Sequence, residues 1–344
     1  MMKNSKPNIL LIYTGGTIGM VKDFKTGALR AFDFKNLIKR IPELSLLECN
    51  IDTVSFKEPI DSSNMHPRYW VQIAEMIEDN YHNHDGFVVL HGSDTMSYTA
   101  SALSFMLEHL AKPVIFTGSQ LPIGDLRTDA KENLITSIQV ASLKNNNQPL
   151  IKEVCLYFEY KLYRANRTTK INAEHFEAFA SLNYPDLAES GVHLKINKEH
   201  LFKPNLKKDL IVHKKLDQNI ALVKLFPGIT EAVLQSVFNT SGLKGIILET
   251  YGAGNCTTET WFINLLAHAI KKGIHIINVT QCSGGSVIMG HYETSNQLKD
   301  LGVISGKDIT TEAALSKLMY LLGENIPHKA FKINYETNLR GEIS

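Results

Sequence analysis

The chain has 344 residues, 44% of them hydrophobic, enough for two domains of about 100–200 residues, each with its own core. Thirty-six Lys and Arg against 35 Asp and Glu leave a net charge of +1, which excludes a bulk field for nucleic acid or an anionic membrane surface. With 21% charged residues and no low-complexity tract, disorder is excluded as the main state. Cys49, Cys155, Cys256 and Cys282 form no CxxC, so neither a small disulfide framework nor a structural zinc site is expected. The apolar run 9–12 is too short for a signal-peptide core or a membrane span. The expectation is a cytoplasmic protein with no nucleic-acid or membrane partner.

In chain order, residues 9–13, 87–90, 114–116 and 154–158 are continuous apolar runs, the pattern of parallel strands covered on both faces. Residues 67–80 and 95–110 read as amphipathic helices; in the second, Leu103, Met106, Leu107 and Leu110 share one face. Such alternation implies crossover units and an open α/β sheet with helices on both sides. Residues 194–217 lose the pattern and read as a linker that includes an edge strand. It separates an N-terminal α/β domain, 1–193, from a smaller α/β domain, 218–344. In the smaller domain strands are expected at 220–225, 245–250 and 274–279, and helices at 230–238, 258–272 and 311–322. Thr258 and Thr311 stand where helix caps belong, with Glu259 and Glu312 at the positive helix starts.

In open α/β sheets ligands bind beyond the carboxyl ends of the strands. Three strands there run into Thr14-Gly15-Gly16-Thr17-Ile18-Gly19, His91-Gly92-Ser93-Asp94-Thr95-Met96 and Thr117-Gly118-Ser119-Gln120. Glycines let backbone N–H groups approach a bound group, and hydroxyls supply nucleophiles or hydrogen bonds. The first stretch lacks the G-x-G-x-x-G spacing of a dinucleotide site, and no G-K-[ST] marks a phosphate loop. Lys170 follows the fourth strand in Asn166-Arg167-Thr168-Thr169-Lys170. Asp61-Ser62-Ser63-Asn64-Met65 precedes a helix, where Ser63 or Asn64 reads simply as its cap. His82 and His84 read as surface residues, and no H-E-x-x-H or carboxylate cluster suggests a metal.

Thr14–Gly19 together with His91–Met96 resembles the paired signature of the bacterial L-asparaginases. The cytoplasmic, type I branch fits best, through residues 97–106 and Tyr163-Arg164-Ala165-Asn166-Arg167-Thr168-Thr169-Lys170. The likeness runs on through residues 251–255 and 280–282 to Asn338-Leu339-Arg340-Gly341-Glu342, essentially the whole chain. It implies a two-domain asparaginase-like fold, with a larger N-terminal open-sheet domain and a smaller flavodoxin-like C-terminal domain. The implied reaction is hydrolysis of L-asparagine to L-aspartate and ammonia without metal or organic cofactor.

By position, Thr14 resembles the nucleophile that forms an acyl-enzyme. Ser93, Asp94 and Lys170 resemble the second set, a hydroxyl activated by a lysine paired with an aspartate. Ser62 and Ser63 match the segment that holds the α-carboxylate, and Ser93 and Asp94 also belong to the substrate contacts. Backbone N–H groups near Gly92 and Ser93 are candidate oxyanion donors; losing one such donor costs roughly 3–4 kcal/mol. Burial beside hydroxyls favours proton loss from a lysine and a neighbouring carboxylate opposes it, so Lys170 is open as base or as fixed charge.

The chain departs from the family pattern in three places. Ser93 replaces the usual threonine, which removes the methyl that stiffens χ1. The lid stretch, residues 25–30, has no tyrosine, and Phe24 and Phe32 are its nearest aromatics. Some cytoplasmic members bind a second asparagine as effector; the matching residues are Thr169, Asn255, Thr280 and Cys282, but Glu249 stands where an arginine would meet the effector carboxylate. The family also implies a homodimer or homotetramer. Two other readings remain: an asparaginase-like subunit of a transfer-RNA amidotransferase, for whose added N-terminal domain no room is expected before Thr14, and a non-catalytic amino-acid-binding module.

Overall fold

The computed structural model describes residues 6–22, 29–31, 41–290 and 293–344. The chain divides into two units between Lys214 and Lys215. The first is built on eight strands: β1 (Asn8–Gly15), β2 (Asn50–Ile60), β3 (Gly86–Leu90), β4 (Val114–Thr117), β5 (Val154–Phe158), β6 (Lys161–Arg164), β7 (Ala188–Ser190) and β8 (Leu194–Ile196), in the order β8-β7-β6-β5-β4-β3-β1-β2. The run β5-β4-β3-β1-β2 is parallel, and the edge β6, β7, β8 is antiparallel.

Helices α1 (Pro67–Asn80), α2 (Met96–Met106) and α3 (Ala130–Ala141) complete the layers. On one face Ile9, Leu11, Tyr13, Val88, Leu90, Ile115, Cys155 and Tyr157 share a core with Ala130, Leu134, Ile138 and Ala141 of α3. The alternate residues Leu10, Ile12, Phe87, Val89 and Phe116 are also buried. Burial on both faces is why these strands read as unbroken apolar runs.

Several local features differ from the sequence reading or lie outside it. The turn from β5 into β6 is made by Glu159 and Tyr160, both with positive φ (45° and 67°). That geometry matches the twist of a two-residue hairpin but normally favours Asn or Gly; here Asn133 Oδ1 of α3 accepts the Glu159 N–H at 3.1 Å and fixes the turn. Helix α2 stops at Met106, because Leu107–Glu108 pairs with Ile211–Val212 as a short ladder. Helix α1 is capped by neither Ser63 nor Asn64: His66 Nδ1 accepts from Arg68 N, and Asp61 caps the preceding turn Ser62–Asn64. His84 is buried, its ring between the Asn80 carbonyl and Asp52 at 3.1 Å each.

The second unit carries β9 (Ile220–Lys224), β10 (Gly245–Thr250), β11 (His275–Thr280) and β12 (Ile304–Ser305), all parallel and in sequential order. Its helices are α4 (Glu231–Phe238), α5 (Thr260–Lys271), α6 (Glu293–Leu301), α7 (Thr311–Gly323) and α8 (His328–Glu336). Val223, Leu234, Phe238, Leu248, Phe262, Leu266 and Ile276 form the core of one face. Fully buried Lys317 of α7 bonds Glu342 and the Thr337 carbonyl, while Glu342 also accepts from Leu339 N and Arg340 N. The C-terminal residues are thus tied to the core by a buried ion pair.

Neither expected threonine caps its helix. Thr310, not Thr311, caps α7 by accepting from Ala313 N at 3.2 Å, which frees Thr311 Oγ1 to donate to Glu249 at 2.6 Å. Helix α5 starts after Glu259, and Thr257 rather than Thr258 accepts the Glu259 N–H. Among the described residues no helix is long and apolar enough to cross a membrane.

Candidate active site

Strand β1 ends in a turn that only glycine can make. Gly15 and Gly16 have φ of +130° and +87°, and a Cβ on Gly15 would lie 2.1 Å from the Ile60 carbonyl. A Cβ on Gly16 would lie 2.5 Å from the Gly92 Cα, and one on Gly92 would lie 2.4 Å from Ser62 Oγ. The two glycine-containing motifs therefore touch backbone to backbone, with Ser62 against the second. Register supports this closeness, since Tyr13 pairs with Leu90 in the parallel ladder. Thr14 is buried, and its Oγ1 donates to the Leu90 carbonyl at 2.9 Å.

Beyond β3, Ser93–Thr95 forms a short 3₁₀ turn leading into α2. Lys170 reaches it from a two-residue ladder that pairs Thr169–Lys170 with Phe179–Ala180. Its Nζ donates to Ser93 Oγ at 2.9 Å and to Asp94 Oδ1 at 2.7 Å. The Lys170 side chain is 18% exposed and that of Asp94 64%, so a mostly sheltered ammonium faces a carboxylate that solvent and ligands can reach. Thr95 Oγ1 donates to the Ser62 carbonyl at 2.7 Å and binds the Ser62 segment to the same turn.

One participant escaped the sequence reading. Gln120, after β4, accepts the Ser93 hydroxyl proton through Oε1 at 3.1 Å and donates through Nε2 to the carbonyls of Ala173 and His175. It fixes the Ser93 rotamer and links it to the segment after Lys170. The Gln120 backbone is itself held by Asp129, whose carboxylate accepts from Gln120 N and Leu121 N. The only signal in the sequence was the position of Gln120 beyond a parallel strand.

Of the candidate residues, the fold brings Ser93, Asp94 and Lys170 into direct contact and sets Ser62 and the Thr14 turn against Gly92. Ser63 is turned outward; its N and Oγ both bond Asp61 Oδ1 at 2.9 Å. Of the effector residues, Thr169 lies in the N-terminal unit and the other three in the C-terminal unit. There Asn255 closes a turn on Tyr251, Thr280 Oγ1 donates to the Gly252 carbonyl at 2.6 Å, and Cys282 N donates to Thr280 Oγ1. Glu249 is buried between Thr311 Oγ1 and Lys224. Phe24 and Phe32 lie outside the described residues. Among the described residues no group of three His, Cys, Asp or Glu is placed to hold a metal.

Fold and site together define a two-unit α/β protein whose strand ends carry a lysine–hydroxyl–carboxylate set, the kind of group that activates hydroxyl nucleophiles. The family profile described as Asparaginase, N-terminal matches residues 8–202, and that described as Glutaminase/Asparaginase C-terminal domain matches 219–332. The chain belongs to the asparaginase family. It is 43% identical to L-asparaginase 1 of Escherichia coli (strain K12) over 98% of each chain. It is 40% identical to the 60 kDa lysophospholipase of Mus musculus, over 98% of this chain and 62% of that protein. The crystal structure of L-asparaginase I from Vibrio cholerae superposes with a TM-score of 0.89 at 39% identity, covering 98% of this chain and 99% of that one.

Proposed function

We propose that this chain hydrolyses L-asparagine to L-aspartate and ammonia through an acyl-enzyme on Thr14. In this reading Thr14 Oγ1 attacks the side-chain carboxamide carbon, a C–O bond forms, and the carbonyl oxygen gains negative charge. The C–N bond then breaks, the hydroxyl proton departs with the nitrogen as ammonia, and water hydrolyses the ester to aspartate and free Thr14. The resting hydroxyl donates to the Leu90 carbonyl, so attack requires that bond to be given up. Lys170 and Ser93 supply donors and positive charge beside the reacting amide. Asp94, being exposed, receives the α-ammonium group, and Ser62 the α-carboxylate, with Ser63 joining it once its hydroxyl leaves Asp61.

The observation that carries this reading is a junction of distant segments: Gly16 packs on Gly92, and Lys170 reaches Ser93 and Asp94 across 77 and 76 residues. Membership of the asparaginase family supports the substrate. On the same reading the enzyme works in the cytoplasm as a homodimer or homotetramer.

The test is ammonia release from L-asparagine, L-glutamine and D-asparagine. Wild-type protein is expected to prefer L-asparagine, and Thr14→Val to lose about 10⁴-fold or more in kcat, by analogy with nucleophile removal elsewhere. Lys170→Met should fall by about 10²–10⁴-fold. Untouched asparagine with wild-type protein would leave the amino-acid-binding reading; a Thr14→Val variant with normal turnover would remove the acyl-enzyme.

A further inference from the structure

His91 directly follows β3 and is fully buried, immediately before the Gly92–Ser93 peptide. Its ring meets Phe116 edge-on, with centroids 6.0 Å apart, and its backbone N–H donates to Thr117 O at 2.9 Å. Its Nδ1 lies 2.7 Å from the Gly92 carbonyl. A carbonyl can only accept, so Nδ1 carries the proton. Burial pushes the imidazole down to about 4; the ring is therefore neutral at pH 7 and Nε2 is a bare acceptor. That Nε2 is buried and, among the described residues, has no partner.

The unpaired nitrogen argues against a role in packing alone. A buried acceptor without a donor destabilises the fold, and a phenyl ring would fill the same space without it. What distinguishes this imidazole from an apolar ring is the Nδ1 bond. A trans peptide is planar, with C=O and N–H pointing in opposite directions. Holding the Gly92 carbonyl toward the imidazole therefore turns the Ser93 N–H away from it. Ser93 N and Asp94 N open the helical turn and, among the described residues, meet no protein acceptor. Gly92 has no side chain to restrain this plane, and a Cβ there would collide with Ser62, so the restraint has to come from outside the residue.

We propose that His91 is a positioning residue for amide hydrolysis: through Nδ1 it locks the Gly92–Ser93 peptide plane and fixes the Ser93 N–H as an oxyanion donor. The assignment rests on the asparaginase reading above. It predicts that the bond at Nδ1 governs turnover while the bulk of the ring governs stability, and that two substitutions separate the roles. In His91→Phe the bulk stays and the bond is lost. In His91→Asn the side-chain amide takes the place of Nδ1 and the bulk is lost.

The experiment compares kcat, KM and Tm of wild type, His91→Phe, His91→Asn and His91→Gln with L-asparagine. His91→Phe should lose about 10- to 100-fold in kcat with KM within about twofold and Tm unchanged or raised. His91→Asn should recover kcat to within about threefold of wild type while its Tm falls. His91→Gln, whose amide lies one bond further out, should lose kcat like the phenylalanine variant and covers the case in which that variant fails to fold. Wild-type kcat in His91→Phe or His91→Gln, or an equal loss in His91→Asn, would overturn the proposal. Wild-type protein that releases no ammonia would instead sink the asparaginase reading, before any variant is compared.

Discussion

At the carboxyl ends of its parallel strands the N-terminal unit joins side chains far apart in sequence, whereas the C-terminal unit closes its polar strand ends on themselves. In the first, Lys170 bonds Ser93 and Asp94, and Gln120 ties Ser93 to Ala173 and His175. In the second, Thr250 Oγ1 donates to Asn278, whose amide donates to the Gly254 carbonyl; Thr280 bonds Gly252, and Gln281 Nε2 serves the carbonyls of Leu225 and Glu249. A closed ring of satisfied donors and acceptors stabilises a loop and leaves little to offer a ligand. An exposed carboxylate beside a sheltered ammonium keeps electrostatic capacity in reserve. Two sheets with the same kind of layering can thus differ in function through whether their polar groups are consumed internally.

The largest effect that could break this contrast is at Ser93. Ser93→Ala should lower kcat for asparagine by about 10²–10⁴-fold, and Ser93→Thr should preserve it, since the hydroxyl persists. Near-normal turnover in the alanine variant, measured by ammonia release, would mean that the Lys170–Asp94 pair works without it.

Next in size is the buried pair of the C-terminal unit. Lys317→Met leaves Glu342 buried without its cation, and urea denaturation should show a loss of about 3–5 kcal/mol. Adding Glu342→Gln should restore part of that loss, because an amide oxygen in the place of Oε2 still accepts from both Leu339 N and Arg340 N. No recovery in the double variant would place the energy in the tail contacts rather than in charge compensation.

A smaller effect is a pH dependence that both units share. Burial holds His91 in the first unit and His275 in the second at about 4, against an ordinary 6.5. His275 stacks on Phe331 at 3.7 Å, and His328 beside it adds like-charge repulsion. Each takes up its proton in the unfolded chain before the folded one, so stability should be full above pH 6.5 and decline as pH falls toward 4. Melting curves across that window should show the decline, and His275→Phe should flatten the part that belongs to the C-terminal unit.

The smallest effect concerns the effector residues. An asparagine bound by Asn255, Thr280 and Cys282 would make saturation sigmoidal. The Hill coefficient should then fall to one in Thr280→Val; hyperbolic saturation of wild-type protein would take that role away from the three residues.

Much of the architecture was legible because strand and helix periods are local properties. Residues 67–80, 154–158 and 245–250 are read with the bounds they adopt as α1, β5 and β10. The misreadings have local causes that only context reveals. Asn133 stabilises a hairpin turn at Glu159–Tyr160 that its own residues do not advertise, Thr310 takes the cap that Thr311 would fill equally well, and a partner strand at Ile211–Val212 ends α2 early. The polar edge strand β2 lacks the apolar run that marks the covered strands.

By itself the sequence determined the covered apolar strands and the helices with a clear apolar period, that the chain forms two α/β units, and that hydroxyls, glycines, an aspartate and a lysine follow the strands. Tertiary structure alone decided which of these meet. Apolar period reports which face is buried, a property of a few consecutive residues. A hydrogen bond from Lys170 to Asp94, or from Ser93 to Gln120, depends on how whole strands are ordered in the sheet. No local pattern encodes that order, because it is fixed by the packing of segments that become neighbours only after the chain has folded.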